Sequence, residues 1–364
     1  MSTIEYRKSR PEDRAAILGI LDEDKAQAEI DARARTFDWQ FGANTPQDDR
    51  TGAFWIVTVD GEIAGVNGLM PVKVRYRQQP VEAVWSCDTA VSPRFRGKGL
   101  GKGLVVNVSA EAEVVLGYGI SDMSDPILDK QGWDLGRDVK GFFFHVAETG
   151  AKGMLKNTRS GLMRLALGLS KRDAMEIEIR DRDVFGADVD NLWQASVDGY
   201  TSVVERDAAY LNSHYSTHPR LHYVTYRAMQ EGRLVGLLIA RPDPVEAVIV
   251  DYCGPVQHTE IKAALIDAAV SDLSRRGTQR IRCETSDGAI IAALWRAGFR
   301  ETTAHFRFRV WSNRKDDRNR ADGWFLMAGD SDNDIAALGH AWANEVPSPR
   351  SAVSSQRGGL PSQR

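Results

Sequence analysis

The stretch Val84-Trp-Ser-Cys-Asp-Thr-Ala-Val-Ser-Pro-Arg-Phe-Arg-Gly-Lys-Gly-Leu-Gly-Lys102 constrains this chain more than any other. Its apolar first half predicts a strand, Val84–Val91. Its second half is a turn crowded with arginine, lysine and glycine, and that turn opens an amphipathic helix expected from Gly99 to about Val115. A helix start presents unpaired N–H groups and the positive end of the helix dipole. Glycines let the backbone approach an anion and adopt positive φ. Arg94, Arg96, Lys98 and Lys102 add formal charge. These are the parts needed to hold a diphosphate.

Spacing narrows the ligand. A Walker loop requires glycine five residues before the Gly-Lys pair and Ser or Thr after it; here those positions hold Arg96 and Gly103. The dinucleotide fingerprint G-x-G-x-x-G fails in both registers, at Lys102 and at Leu104. What fits is R-x-x-G-x-G, Arg96-Gly97-Lys98-Gly99-Leu100-Gly101. This resembles the coenzyme A pyrophosphate loop of the GCN5-related N-acetyltransferases. The competing reading is a surface turn with solvated cations. The resemblance implies an α/β fold with a mixed sheet. It implies acetyl-CoA as co-substrate, its diphosphate on Arg96, Gly97, Lys98, Gly99, Leu100, Gly101 and Lys102. The exposed amides of Thr89, Ala90 and Val91 would take the pantetheine arm. It also implies a carboxylate on or near the fourth strand as general base, and Asp88 is the residue at that place. Capping a turn or pairing with a nearby arginine is the alternative role for Asp88, and Glu82 is a weaker candidate base. The tyrosine that many members carry after the fifth strand is missing from Asp125-Pro-Ile-Leu-Asp-Lys-Gln-Gly-Trp133. A thiol with pKa near ~8.5 leaves without a dedicated acid.

Composition bounds the partners. The chain has 364 residues, enough for two domains, with 42% hydrophobic and 27% charged residues. A net charge of −3 gives no global attraction to nucleic acid or to a membrane surface. No run of ~18 apolar residues is present to span a bilayer. No apolar signal segment follows Met1, and three cysteines, Cys87, Cys253 and Cys283, form no disulfide frame, so a reducing cytoplasm is expected.

The first half predicts strands at Ile4–Lys8, Phe54–Val59 and Glu62–Tyr76, the last two joined at Asp60-Gly61, a hairpin signal. A helix from Pro11 to about Asp24, a short strand at Tyr118–Met123, a helix at Pro126–Gln131 closed by Gly132, and a strand at Lys140–Ala147 complete the unit. The second half echoes it. Asp60-Gly-Glu-Ile-Ala-Gly65 returns as Glu231-Gly-Arg-Leu-Val-Gly236, and Cys87-Asp-Thr-Ala-Val-Ser-Pro93 as Val250-Asp-Tyr-Cys-Gly-Pro255. Leu128-Asp-Lys-Gln-Gly-Trp133 returns as Leu294-Trp-Arg-Ala-Gly-Phe299, and Asp38-Trp-Gln-Phe41 as Asn212-Ser-His-Tyr215. Ordered echoes at nearly one offset, about 162 to 174 residues, argue for internal duplication. The copy has lost the glycines and the arginine after Pro255, although a helix from about Glu260 to Arg275 still follows, with Thr259 as its candidate cap.

The expected organisation is therefore two tandem acetyltransferase-like domains, the second degenerate. Residues 1–150 form the catalytic unit, 151–172 a basic linker helix, and 173–315 the degenerate unit. Residues 316–344 form an extension and 345–364 a disordered tail. Asp330-Ser-Asp-Asn-Asp334 lacks the glycine and glutamate of a calcium loop and reads as a capping turn. His214, His218 and His222 lack acidic or cysteine partners at helical spacing, so no metal is assigned. Cys87 and His145 read as core or edge residues rather than a nucleophile and its partner histidine, and Tyr118 reads as core. From about Thr3 to Asp332 the chain resembles a bacterial tandem acetyltransferase group linked to cell-surface polysaccharide or amino-sugar loci. The expected function is acetyl transfer from acetyl-CoA to the primary amine of a small molecule, an amino sugar among the candidates, with the acceptor between the two units. The alternatives are a non-catalytic acyl-CoA sensor or scaffold and a transferase using a longer acyl-CoA or another donor.

Overall fold

The computed structural model describes residues 2–43, 53–136, 138–146, 175–302, 306–314, 320–331 and 334. The expected linker helix and the tail lie outside the described residues. The strands in chain order are β1 (Ile4–Lys8), β2 (Phe54–Val59), β3 (Glu62–Tyr76), β4 (Gln79–Val91), β5 (Val114–Tyr118), β6 (Asp134–Gly136), β7 (Lys140–His145) and β8 (Glu176–Asp181). They continue as β9 (Ser202–Val204), β10 (Val224–Gln230), β11 (Arg233–Arg241), β12 (Glu246–Cys253), β13 (Arg280–Thr285), β14 (Arg300–Glu301), β15 (Phe308–Ser312) and β16 (Trp324–Phe325). The α-helices are α1 (Arg14–Leu21), α2 (Gln27–Asp38), α3 (Leu100–Ser109), α4 (Asp125–Lys130), α5 (Ala187–Ser196), α6 (Ala208–Leu211), α7 (Thr259–Arg275) and α8 (Gly288–Ala297).

Two mixed sheets result. One runs β1-β2-β3-β4-β5-β15-β6, with β9 joined to the outer half of β3 and β16 to β9; the other runs β14-β7-β13-β12-β11-β10-β8. Among the described residues only β4–β5 and β12–β13 pair in parallel within these two runs, at the same place in each copy. The sheets exchange their last strands. β7, from the first half of the chain, lies between β13 and β14; β15, from the second half, lies between β5 and β6. The strand expected to close the first unit therefore belongs to the second sheet, and boundaries drawn at 150 and 315 do not follow the sheets.

Each echo in the sequence has a structural counterpart. Asp60-Gly61 and Glu231-Gly232 both turn hairpins with positive φ. The helix ends at Gly132 and Gly298 close with matching bonds, Trp133 N–H to the Leu128 carbonyl and Phe299 N–H to the Leu294 carbonyl. Trp39–Ala43 and Asn212–Ser216 are both single-turn π-helices, a rare element often found at functional sites.

Several expected boundaries move for physical reasons. The helix after the glycine turn stops at Ser109, and Val114-Val115-Leu116 forms a strand rather than a helix end. Those side chains are fully buried, and burial of each contributes about 1.5–3 kcal/mol. The strand expected at 118–123 is accordingly 114–118. β4 starts at Gln79, five residues early, because Arg77-Gln78 forms a tight turn with positive φ at both residues. Nothing local announces it. The second half of the chain holds it, with Gln78 N–H on the Thr201 carbonyl and Arg77 N–H on Ser202 Oγ. Thr259 is the first residue of α7, not its cap; His258 takes that place.

Candidate functional site

β4 and β5 touch only where Ala83, Val84 and Trp85 face Val114, Val115 and Leu116. Beyond Trp85 they splay, and among the described residues no strand pairs with Ser86–Val91 on that side. A bulge marks the divergence. The register against β3 shifts between Val66 and Gly68, and Asp88 sits there with φ 47°, a strained backbone for a non-glycine residue. Asn67, 1% exposed, braces the bulge from β3 through its Nδ2, which donates to Ser86 Oγ (2.9 Å) and Thr89 Oγ1 (2.5 Å). The predicted Thr89, Ala90 and Val91 lie on the splayed stretch, beyond the last residue that pairs with β5.

At its end the chain turns through Pro93–Phe95, tied by Ser92 N–H to the Ala64 carbonyl (3.0 Å), into the glycine loop. Gly97 (φ 80°) and Gly99 (φ 75°) both occupy the left-handed region, and Gly99 is the N-cap of α3. The first bond of the helix runs from Gly103 N–H to the Gly99 carbonyl, so the N–H groups of Leu100, Gly101 and Lys102 precede it. A methyl group built on Gly97 or Gly99 meets no heavy atom within 4 Å, so the loop faces open space. The opposite holds at Gly103, where such an atom would lie 2.0 Å from Tyr6 Oη; that glycine lets β1 press on the helix. A diphosphate fits this arrangement of early helix amides, positive-φ glycines and unobstructed space. Arg96, Lys98 and Lys102 are exposed at its edge. Arg96 Nε donates to the Val91 carbonyl (3.0 Å), and Lys98 lies 5.3 Å over the Phe95 ring. Arg94 is engaged with Glu62.

Asp88 has a partner that sequence reasoning missed. Both of its carboxylate oxygens accept from Nη1 of Arg33 on α2, each at 3.0 Å. Arg33 Nε also lies 3.3 Å from Asp22 Oδ1, an ion pair without hydrogen-bond geometry. Burial pushes the Asp22 carboxyl above its usual range despite that guanidinium. Asp88, expected either as a base or in pairing with a nearby arginine, is thus one end of an Asp22–Arg33–Asp88 chain that pins α2 over the bulge. Arg33 is 55 residues from Asp88 in sequence, and no spacing rule connects them.

Beside α2 the two π-helical turns meet. Trp39 Nε1 donates to the Ser213 carbonyl (3.2 Å), and its ring lies 4.4 Å from that of His218 and 6.2 Å from that of His214. Gln40 Nε2 reaches Met70 Sδ at 3.5 Å. This seam between the halves borders the same sheet face as α2. His218 Nδ1 accepts the N–H groups of Arg220 and Leu221, so the ring is neutral, and burial pushes its pKa down to about 4. Cys87 is a core residue at 6% exposure, and burial pushes the Cys253 and Cys283 thiols up to about 12. Tyr118 is buried with its hydroxyl donating to Glu284 Oε2, and His145 sits on β7 in the other sheet. Among the described residues no three His, Cys, Asp or Glu side chains are gathered as metal ligands, and no helix is long and apolar enough to cross a membrane.

Residues 15–118 match the Acetyltransferase (GNAT) family, a span holding α1, α2, the splayed strands and the glycine loop. No curated protein matches the chain. Among solved structures, a GCN5-related N-acetyltransferase from Anabaena variabilis aligns with TM-score 0.55 at 12% identity, covering 85% of this chain and 72% of that one. One from Kribbella flavida gives 0.54 at 14% identity, with 85% and 71% covered. Saccharomyces cerevisiae N-myristoyltransferase with bound myristoyl-CoA gives 0.53 at 12% identity, with 85% and 83% covered. At such identities the likeness is one of fold, and it extends over both halves.

Proposed function

We propose that the chain is an acyltransferase of the acetyltransferase (GNAT) kind, which its residues 15–118 match, and that it transfers an acetyl group from acetyl-CoA to the primary amine of a small molecule. The observation that carries this reading is the open wedge of β4 leading into the Gly97–Gly99 loop at the start of α3. In this reading the early amides of α3, with Arg96, Lys98 and Lys102, hold the diphosphate. The amides of Thr89, Ala90 and Val91 hold the pantetheine arm, and one of them faces the thioester oxygen as charge grows there. Such a donor is typically worth about 3 kcal/mol of barrier, and alignment of two bound reactants adds about 7 kcal/mol or more. The acceptor enters from the α2 side, along the seam of the two π-helical turns.

Asp88 is the proposed base, oriented by Arg33. Replacing Asp88 with Asn is expected to lower kcat about a hundredfold, the scale of general-base catalysis. A loss below about threefold would make the carboxylate an anchor for α2 instead. The donor assignment is tested by calorimetry. The double variant Arg96→Ala/Lys98→Ala is expected to bind acetyl-CoA at least about tenfold more weakly, because each charge-assisted phosphate contact is worth about 1.5–3 kcal/mol. Unchanged affinity would mean that the loop does not hold the diphosphate. Binding followed by no thiol release across a panel of amines would replace the enzyme with a coenzyme-binding sensor.

A further inference from the structure

The parallel pair of the second unit splays as the first does. β12 and β13 face each other at Glu246–Ile249 and Arg280–Cys283 and then part, leaving Val250–Cys253 and Glu284–Thr285 without each other. Here the gap has an occupant on the page. Met327 bridges to Thr285, the Leu326 carbonyl accepts from Ser286 N–H (3.1 Å), and Gly329 N–H donates to the Val250 carbonyl (2.8 Å). The segment crosses the gap from the β13 side to the β12 side with backbone hydrogen bonds to both. Its fit admits nothing larger than glycine at 329, where a side-chain carbon would lie 2.3 Å from Tyr215 Oη and 2.9 Å from the Val250 oxygen.

We infer that residues 326–331 are the permanent occupant of the second wedge, so that this wedge binds a strand of its own chain where its counterpart is shaped for a guest. A buried ionic clamp locks the segment. Arg206 Nε donates to Asp251 Oδ1 (2.8 Å), on the bulge of β12 one repeat after Asp88, and Nη2 donates to both oxygens of Asp330 (3.0 and 2.8 Å). Asp330 Oδ2 in turn accepts Met327 N–H (2.8 Å), folding the segment on itself. Arg206 and Asp330 are 0% exposed and Asp251 is 1% exposed, so none of the three charges is tolerable without the others. The leading end is fixed as well. Trp324 and Phe325 pair with β9, which pairs with β3, the neighbour of β4 in the first sheet. The strap therefore seals one wedge and is anchored on the sheet that contains the other.

This inference stands on the fold and not on the identity of the donor. Hydrogen exchange on the full chain without ligand tests it. The amides of 327–331 and 250–253 are expected to exchange among the slowest in the chain. In Asp330→Asn, a near-isosteric change that leaves the Arg206–Asp251 pair in place, and in Arg206→Met, both segments are expected to speed up together by about tenfold or more, with 86–99 unaffected. Fast exchange at 327–331 in the unaltered chain, or independent responses of the two segments, would overturn it. Added acetyl-CoA separates the two readings. Slowing at 250–262 would overturn the sealed wedge, whereas slowing nowhere would overturn only the donor assignment and leave the strap standing.

Discussion

The two wedges began from one pattern and differ in what fills them. Both have a parallel pair that parts after three or four residues, a bulge with an aspartate, and a helix beyond. In the first, Asp88 turns to Arg33 on a surface-facing helix, the loop carries Gly97 and Gly99, and among the described residues no strand fills the gap. In the second, Asp251 turns inward to Arg206, the loop has lost its glycines, and the strap of 326–331 closes the gap. A charged residue at a bulge does not by itself make a catalytic site. What lies opposite it decides whether it is free to meet a substrate or is consumed in holding the fold.

The most severe way to break the comparison is to separate the halves. Because β7 and β15 have changed places, a fragment ending at 146 loses the strand between β5 and β6. It is expected to show no cooperative thermal transition, and mixing it with the remainder of the chain is expected to restore one. A cooperative transition in the isolated fragment would show that the exchange is dispensable. Next comes the clamp. Arg206→Met leaves two buried carboxylates facing each other and is expected to cost about 3–5 kcal/mol, or roughly 6–20 °C in Tm at the scale of a large domain. Loss of only a degree or two would mean that water or rearrangement relieves the site.

The seam gives a smaller, pH-dependent effect. Burial holds His218 neutral in the fold, with a pKa of about 4, while an unfolded histidine titrates near about 6.5. The unfolded state thus binds the extra proton first, and stability falls as pH drops from about 6.5 to about 4. Replacing His218 with Gln is expected to flatten that part of the Tm–pH profile relative to the parent chain; an unchanged slope would mean that the imidazole charges freely in the fold. The smallest expected difference sharpens the reading of the glycine loop. Gly103→Ala drives a carbon into Tyr6 and is expected to cost about 1–3 kcal/mol by overpacking. Gly97→Ala meets no neighbour and costs about 1 kcal/mol of backbone strain, with its larger effect on acetyl-CoA affinity. If the two alanines weaken coenzyme binding equally, the loop does not approach its ligand through Gly97.

Local chemistry made the glycine loop, the Asp60-Gly61 hairpin and the duplication legible, because turn residues and repeats are written over a few positions. The strand exchange was not legible, since Lys140–His145 has the same apolar pattern whichever sheet it joins. The Arg77-Gln78 turn was missed because its bonds come from Thr201 and Ser202. Arg33 and Arg206 were missed for the same reason: an arginine reveals its carboxylate only once folding brings distant segments together. Asp330 read as a turn former from its neighbours, yet its carboxylate is spent on Arg206.

The account is tested most directly by titrating the intact chain with acetyl-CoA while following hydrogen exchange. It predicts one equivalent bound per chain, with slowed exchange confined to residues 86–103. Two equivalents, or protection centred on 250–262, would contradict it.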